Sequence, residues 1–468
     1  MRPRTGRFGP SVAAAAPRPY WLDTPDRPAA EPPLEGVVET DLLVVGGGYA
    51  GLWAALRAKE RDPGRSVVLL EAARCGHAAS GRNGGFVDPS LTHGFSNGLA
   101  RWPQDTATLL RLGEENLDGI EDTVRRHGID CGFERSGVLE VATQAHQVAE
   151  LAERAAQLRE HGVDVRELDV DEVREQVGSP TYLAGLRHEQ AALVDPARLA
   201  WGLRDACLST GVQVYEGTPG SGLRPDGAGI RVDTPAGSVR AARAVLATNA
   251  FPSLLRRLRL LTLPVYDYAL TTHPLTPEQR AAIGWRGREG IADSGNQFHY
   301  YRLTPDDRIL FGGFDAIYHY GSATDAAYEQ RPETFELLAE HLADTFPAIE
   351  DIGFSHAWGG VIDTSARFCA FYGLALGGRV AYAAGYTGLG VSATRFAADV
   401  ALDLLAGDDT DRTRLAMVRE RPVPFPPEPV RWLGVQASRW SLARADANGG
   451  RRNLWLRATD RLGLGFDS

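Results

Sequence analysis

The sequence predicts an α/β protein in which a Rossmann-type dinucleotide-binding domain carries an inserted α+β domain with an antiparallel sheet. Residues 41–71 have the pattern of a strand, a glycine-rich turn, a helix and a second strand, and a βαβ unit needs about thirty residues. Patterns typical of an antiparallel sheet follow much later, at 264–273, 297–303 and 308–313. A chain of 468 residues is longer than one hydrophobic core usually serves, so we expect two packed domains.

The first βαβ unit is the most strongly patterned part of the chain. Residues 41–45 form a short apolar run rich in β-branched residues, which favours a buried parallel strand. Residues 49–61 have helical spacing until Pro63 and Gly64, and 66–71 predict a second buried strand. Further helices are predicted at 104–128, 145–163, 170–177, 195–210, 334–346 and 390–406, and further strands at 137–142, 212–215, 230–233, 241–249 and 380–384.

The order of these elements predicts a nucleotide domain that the chain builds in separate pieces. The pieces of the dinucleotide-binding domain are predicted at 39–100, 186–252 and 355–408, and those of the inserted substrate domain at 101–185 and 253–354. Residues 1–38, rich in Pro, Ala and Arg, predict an extended arm anchored by Tyr20 and Trp21. Residues 409–468 form a tail that either covers the substrate domain or mediates dimerisation.

The composition excludes several classes of protein. The net charge of −10 leaves no evident basic surface for nucleic acid or anionic lipid. The four cysteines form no CxxC pair, so we expect neither a disulfide framework nor a metal site. No apolar run approaches the roughly 18 residues of a membrane span or the roughly 7–15 of a signal-peptide core. We therefore expect a cytoplasmic protein without a membrane span.

Three glycines with G-x-G-x-x-G spacing lie between the first strand and the first helix. Gly46 allows the tight turn, Gly48 lets the backbone approach a pyrophosphate, and Gly51 lets helix and strand pack closely. The phosphate then lies at the helix N-terminus, where free N–H groups favour an anion. Glu71, at the end of the second strand, is placed to accept hydrogen bonds from a ribose. This motif predicts a dinucleotide but does not separate NAD from FAD.

The segment after the second strand resembles a known family. Residues 75–85 read Cys-Gly-His-Ala-Ala-Ser-Gly-Arg-Asn-Gly-Gly. This resembles the segment that passes under the flavin in the D-amino-acid-oxidase-like (glycine oxidase and sarcosine oxidase) superfamily. Residues 79–85 most closely resemble its γ-glutamylputrescine-oxidase-like branch. The pair Gly359 and Gly360 and the segments 385–390 and 245–250 also match the family, so the resemblance spans about residues 18–407.

The resemblance implies FAD as the cofactor and a GR2-like nucleotide domain. In such a site Ser80 donates to a phosphate, and Arg82 adds positive charge near phosphate or flavin. FAD is expected to be non-covalent, with His77 as an alternative covalent attachment site. The residues expected to hold FAD are Gly46, Gly48, Tyr49, Ala50, Gly51, Glu71, Ala72, Ala79, Ser80, Gly81, Arg82, Asn83, Gly84, Gly85, Ala247, Thr248, Gly360, Gly385, Thr387, Gly388, Leu389 and Gly390.

The candidate catalytic residues lie mainly on the predicted strand 297–303. Strand alternation puts Tyr300 and Arg302 on one face and His299 and Tyr301 on the other. If the first face meets the flavin, its residues could hold a substrate carboxylate. If the second face does, its residues are candidates for amine recognition or deprotonation. Either pair could equally be ordinary core residues. Two further candidates for lining the pocket are Trp358 and Tyr386.

The resemblance implies FAD-dependent oxidation of a primary or secondary amine, such as an amino acid or a polyamine derivative, to an imine. Water then hydrolyses the imine to a carbonyl product, and O2 is the expected acceptor, giving H2O2. Sarcosine-oxidase-type relatives activate O2 with a lysine. The only lysine here, Lys59, lies near the end of the first helix, far from the expected flavin ring. Two alternatives therefore stay open: a D-amino-acid-dehydrogenase-like enzyme that reduces a carrier, and a flavin-binding protein without turnover. The oligomeric state stays open too.

Overall fold

The computed structural model of the chain describes residues 6–461. Its strands are β1 (Gly36–Val45), β2 (Val67–Leu70), β3 (Phe86–Val87), β4 (Val138–Ala142), β5 (Val165–Leu168), β6 (Ala184–His188), β7 (Ala192–Leu193), β8 (Gln213–Tyr215), β9 (Ser221–Asp226), β10 (Gly229–Thr234), β11 (Gly237–Leu246), β12 (Thr262–Thr272), β13 (Gly290–Asp293), β14 (His299–Leu303), β15 (Ile309–Gly313), β16 (Phe354–Ser365), β17 (Phe371–Ala375) and β18 (Val380–Ala384). Its helices are α1 (Gly9–Ala14), α2 (Tyr49–Arg61), α3 (Phe95–Arg101), α4 (Thr106–Arg126), α5 (Ala145–Glu160), α6 (Val170–Gln176), α7 (Pro196–Ser209), α8 (Pro277–Ile283), α9 (Pro332–Thr345), α10 (Gly390–Ala406), α11 (Asp411–Arg414), α12 (Ala416–Arg419), α13 (Val430–Ala447) and α14 (Leu454–Arg461).

The parallel sheet has the strand order β17-β18-β11-β1-β2-β8, and only β17 runs antiparallel to its neighbour in this series. Its central strand is buried on both faces. Leu42 and Val44 pack against α2, α4, α7 and α10. On the opposite face, Leu43 and Val45 pack against the β9–β10 hairpin, whose strand β10 pairs with β11. This two-sided burial explains why residues 41–45 read as an uninterrupted apolar run.

The second sheet, called here the mixed sheet, has the order β16-β12-β15-β14-β13-β4-β6-β5. Its pairs are antiparallel, as predicted, except for the parallel pair β4–β13. Tyr266 and Tyr268 of β12 pack with Phe335 of α9 in a large core on one face. The other face of β12 carries Val265 and Asp267, and it lies toward the parallel sheet. The α/β class and its two kinds of sheet are confirmed.

The division of the chain into domains stays a prediction, but strand pairing shifts its boundaries. The predicted boundaries at 186 and 355 fall inside β6 and β16, which both belong to the mixed sheet. Helix α4, predicted in the substrate domain, packs its Leu117 and Ile120 into the core that holds Leu402 of α10.

Both ends of the chain contain more helix than the sequence predicted. The N-terminal arm is not extended throughout, because α1 packs against the core of the mixed sheet. Trp21 is 3% exposed, in accord with the predicted anchor. The described part of the tail, residues 409–461, contains four helices, of which α13 and α14 pack against each other. Across residues 6–461, no helix is both long and apolar enough to cross a lipid bilayer.

The closest approach of α2 to β1 depends on Gly51. A Cβ there would overlap the carbonyl oxygen of Gly46 and touch Val44. We expect Gly51→Ala to lower the free energy of unfolding by about 1–3 kcal/mol, because backbone must move to make room. Thermal and urea unfolding of the purified protein measure the effect.

Gly434→Ala is the matched control for this prediction. Gly434 also lies within a helix, but a Cβ there meets nothing within 4 Å. The control should gain up to about 1 kcal/mol, because alanine favours a helix interior over glycine. Equal stabilities of the two variants would contradict the tight packing of α2 on β1.

Candidate active site

A cavity of about 1440 Å³ separates the parallel sheet from the mixed sheet. It exceeds the roughly 300–1,000 Å³ of an ordinary small-molecule site, so it has room for a dinucleotide and a second ligand. Of the residues predicted to hold FAD, the following line it: Gly46, Gly48, Tyr49, Ala50, Glu71, Ala72, Ala79, Ser80, Arg82, Asn83, Gly84, Ala247, Thr248, Gly360, Thr387, Gly388, Leu389 and Gly390. The structure thus brings residues from three distant turns to one space.

The other four predicted glycines pack behind the cavity. A Cβ on Gly51, Gly81 or Gly85 would overlap a backbone carbonyl oxygen, and one on Gly385 would come within 2.7 Å of the Ser365 Cβ. The first three positions therefore need glycine because backbone segments lie close together, whereas Gly385 needs it because its φ is +81° and the Ser365 side chain lies close. We expect them to shape the turns rather than to touch a ligand.

The N-terminus of α2 opens into the cavity. Its N-cap, Gly48, supplies no side chain, and the Tyr49 N–H donates to the Ser80 hydroxyl at 2.9 Å. Ser80 therefore lies directly at the helix N-terminus, with its own hydroxyl hydrogen available to a ligand. Uncapped N–H groups and the helix dipole favour a phosphate at this place.

The carboxylate of Glu71 lies at the end of β2, as the motif predicted. It accepts hydrogen bonds from the N–H groups of Gly47 at 2.6 Å and Ala73 at 2.8 Å. Burial nevertheless raises its pKa. A buried carboxylate that lines the cavity is a suitable acceptor for ribose hydroxyls.

The segment 79–85 is held in place by side chains from other parts of the chain. The indole N–H of Trp358 donates to the Arg82 carbonyl at 2.9 Å, and that of Trp21 donates to the Asn83 carbonyl at 3.0 Å. Tyr300 lies against the segment so closely that a Cβ on Gly84 would come within 2.9 Å of its ring. Both tryptophans therefore fix the backbone that lines the cavity.

Arg82 and His77 form a polar corner of the cavity. The Arg82 guanidinium is buried, lies 2.5 Å from the Glu329 carboxylate and donates to the His77 carbonyl at 2.8 Å. Burial, helped by the neighbouring arginine charge, lowers the pKa of His77. Arg82 is thus already paired with an acid. Covalent attachment through His77 stays a prediction.

The third turn, at 385–390, is organised by Asp363. Its carboxylate accepts hydrogen bonds from the N–H groups of Gly385 and Tyr386, the latter at 3.2 Å, and burial raises its pKa to about 7. Helix α10 begins directly after the turn, and its N-cap, Leu389, supplies no side-chain cap. Sequence reasoning missed Asp363. Its only signal is a lone carboxylate within the apolar strand that contains Gly359 and Gly360.

The structure shows which face of β14 meets the cavity. Phe298 and Tyr300 line it, together with Trp358 of β16 and Tyr386. The Tyr300 hydroxyl donates to the Asp267 carboxylate at 2.6 Å. Asp267 also lines the cavity, and burial raises its pKa to about 6. Sequence reasoning missed Asp267, although an acid inside the apolar strand 262–272 is a detectable signal.

Three predicted catalytic residues are not at the cavity, which corrects their place among the candidates. His299 is joined through its ring nitrogens to Asp293 at 2.6 Å and to His341 at 2.8 Å. The hydroxyl groups of Tyr301 and Tyr182 hydrogen-bond at 2.7 Å within the core. Strand alternation turns both residues away from the cavity.

Arg302 shares the face of Tyr300 but lies deeper. Its guanidinium donates to the Val194 carbonyl at 2.7 Å and lies 5.5 Å from the Trp21 ring centroid. Burial lowers its pKa to about 10. It therefore supports the backbone behind the cavity and is not placed to hold a substrate carboxylate.

The structure also shows where the single lysine and the four cysteines lie. The Lys59 ammonium donates to the carbonyls of Pro63 and Arg65, at 2.6 and 3.0 Å, beyond the C-terminal end of α2. Residues 6–461 contain no group of three or more His, Cys, Asp or Glu side chains placed to hold a metal ion. All four cysteines are buried and free.

The site fits a dinucleotide, with two uncapped helix N-termini and a buried carboxylate at one cavity. Residues 41–404 match the family model described as DAO, FAD dependent oxidoreductase. The chain belongs to this family of FAD-dependent oxidoreductases, and its cofactor is FAD.

Individual proteins support the same assignment. The chain is 30% identical over 400 residues to the gamma-glutamylputrescine oxidoreductase of Escherichia coli, covering 83% of this chain and 89% of the relative. It is 27% identical over 400 residues to a probable oxidoreductase, OrdL, of Haemophilus influenzae, covering 84% and 89%. The fold is similar to that of the glycine oxidase from Geobacillus kaustophilus, with a TM-score of 0.66, 21% identity, and coverage of 82% and 99%.

Asp363 is expected to support FAD binding by fixing the third turn. Asp363→Asn should weaken FAD binding about tenfold, because hydrogen bonds to a charged acceptor are worth roughly 1 kcal/mol more than those to a neutral one. Flavin fluorescence on titrating apoprotein measures the dissociation constant. The control Asp351→Asn changes an almost fully exposed acid and should leave it unaltered. Equal affinities of the two variants would exclude this role.

Proposed function

We propose that the protein oxidises a primary or secondary amine, such as an amino acid or a polyamine derivative, to an imine. Bound FAD supplies the acceptor for the hydride that leaves the carbon next to nitrogen. The nitrogen loses one proton, water hydrolyses the imine to a carbonyl compound, and O2 takes up two electrons and two protons to give H2O2. The names of the relatives, a gamma-glutamylputrescine oxidoreductase and a glycine oxidase, support an amine substrate.

The observation that carries this proposal is the buried Asp267 carboxylate on the cavity wall. Its raised pKa means that its surroundings supply too little positive charge for the ionised form. A substrate ammonium would supply that charge. Asp267 is therefore the group that best explains why this cavity should select a protonated amine from water.

The neighbours of Asp267 suit the chemistry that follows binding. An amine must be neutral before its carbon can give up a hydride, and Asp267 is placed to take the proton from the ammonium. The Tyr300 hydroxyl orients the carboxylate, since its hydrogen bond fixes one acceptor oxygen. Gly360 stands opposite Asp267 on β16, so no side chain crowds the carboxylate there.

A second candidate function is that of a dehydrogenase, which passes the electrons to a carrier instead of O2. The observation that favours it is the position of Lys59, whose ammonium is engaged far along α2. Arg82, a cation that does line the cavity, is neutralised by Glu329. Neither Lys59 nor Arg82 therefore offers an unpaired cation that could stabilise reduced oxygen species.

The roles of Asp267 and Tyr300 in amine oxidation can be distinguished by substitution. With an amine under anaerobic conditions, Asp267→Asn should slow bleaching of the flavin absorbance by at least about a hundredfold, because the ammonium loses both its partner and its proton acceptor. Tyr300→Phe should retain bleaching but weaken amine binding roughly fivefold to tenfold. Stopped-flow absorbance measures both the rate and its dependence on amine concentration.

The pH dependence gives this prediction its control. Protonation of Asp267 below about pH 6 should weaken amine binding, so affinity should rise through that pH in the wild type and not in Asp267→Asn. The raised pKa also favours the folded state at low pH. Its contribution to stability is full below about pH 4 and is lost by about pH 6, again only in the wild type. Bleaching in Asp267→Asn at the wild-type rate would refute the proposed role.

Readmitting air to the bleached enzyme distinguishes the two acceptors. An oxidase should recover its yellow absorbance within seconds and form one H2O2 per substrate oxidised. A dehydrogenase should stay bleached in air and recover on addition of a soluble quinone. Absorbance and a peroxidase-coupled assay measure the outcome, and slow recovery without peroxide would contradict the oxidase.

A further inference from the structure

We propose that the C-terminal hairpin, defined as residues 430–461 with α13 and α14, forms a wall of the substrate pocket that favours amines with an apolar substituent over amines that carry a second ammonium. The inference rests on the proposed function, because it concerns the same cavity. The hairpin lies outside residues 41–404, the part of the chain that matches the family model.

The hairpin lines the cavity with mostly apolar side chains. Its lining residues include Leu433, Val435, Ala437, Leu442 and Leu456. None of them could be assigned to a pocket from the sequence, because no motif in the tail indicates which of its residues face the site. Their common cavity shows that the tail covers the site.

The apolar wall and the Asp267 carboxylate belong to one compartment. Leu263 and Val265 precede Asp267 on the same face of β12 and pack with Val435 of α13. Alternate residues of a strand are about 7 Å apart, so apolar surface begins roughly that distance from the carboxylate. A substrate whose ammonium binds Asp267 would lay its substituent between Val265 and α13.

The charged groups of the hairpin that line the cavity already have hydrogen-bond partners within the protein. Between residues 430 and 461 these are Arg431 and Arg439. Arg439 forms an ion pair with Asp315, and Arg431 donates to the Ser322 hydroxyl at 2.8 Å. Neither arginine can pair with a second ammonium on the substrate, which would therefore lose water without gaining a partner from the hairpin. Burying an unpaired charge in such surroundings is costly.

Polar contacts hold the hairpin to the rim of the cavity. The Asp446 carboxylate accepts hydrogen bonds from the Asn296 amide side chain at 2.6 Å and from the backbone N–H groups of Asn296 and Gln297 at 3.0 and 3.1 Å. These residues lie just before β14, which carries Tyr300. The hairpin is thus fixed relative to the proposed substrate-binding groups and can act as a wall of defined shape.

A matched pair of ligands tests the proposed selectivity. Hexylamine and hexane-1,6-diamine differ in the second amino group alone. Their dissociation constants for the anaerobic holoenzyme follow from flavin absorbance shifts, and their reduction rates from bleaching. The wild type should bind hexylamine at least about tenfold more tightly, because the diamine must bury an unpaired ammonium. From propylamine to hexylamine, affinity should rise about fourfold per methylene group.

A matched pair of variants links the selectivity to the hairpin. Ala437→Glu puts a carboxylate on the wall, whereas Ala443→Glu puts one on an exposed position of the same helix outside the cavity. Ala437→Glu should shift the preference toward the diamine by at least about fivefold, as one partly buried ion pair would. Ala443→Glu should leave it unchanged. Leu442→Glu repeats the test if Ala437→Glu fails to retain flavin.

The outcomes separate this inference from the proposed function. Equal preferences of the Ala437→Glu and Ala443→Glu proteins, or a wild type that favours the diamine, would overturn the wall while leaving amine oxidation intact. Conversely, a preference that depends on Ala437 without bleaching by any amine would support the wall and refute amine oxidation.

Discussion

The whole site depends on a contact between backbone segments that lie two hundred residues apart in the chain. The turn after β1 meets the end of β11 so closely that a Cβ on Gly46 would overlap the Ala247 carbonyl, and Gly51 brings α2 against the same turn. Only glycine allows these approaches, because any side chain would hold the strands and helix apart. The N-terminus of α2 can face the dinucleotide because this contact is made.

In the proposed function, two carboxylates divide the cavity between cofactor and substrate: Asp363, which is buried, and Asp267, which is partly buried. Burial raises the pKa of both, but their partners differ. Asp363 accepts backbone N–H groups of the third turn, so it shapes the place where the cofactor binds. Asp267 has the Tyr300 hydroxyl as its side-chain partner and faces the open cavity. We therefore assign a structural role to Asp363, whereas Asp267 faces the space from which a substrate ammonium would approach.

Helices and glycine turns could be predicted from the sequence because short-range patterns determine them. Contacts that depend on how distant strands pair could not be predicted. Helices α2 and α10 and the glycine turns follow from local spacing, so they could be recognised directly. Strand alternation separated Tyr300 from His299, but only the pairing of β14 with its neighbours turns Tyr300 toward the cavity. Asp267 meets Tyr300 across an intervening strand, and no local pattern encodes such a contact between residues 33 positions apart.

The C-terminal hairpin shows how selectivity can be added without altering the reaction centre. The family-matched region holds the glycine turns, Asp267 and Tyr300, whereas the hairpin supplies apolar surface farther along the same cavity. Its polar links to the rest of the protein include the hydrogen bonds of Asp446, and none of its residues contributes to the Asp267–Tyr300 hydrogen bond. If both proposals hold, substrate range and amine chemistry are carried by separate parts of the chain, and each can change while the other is kept.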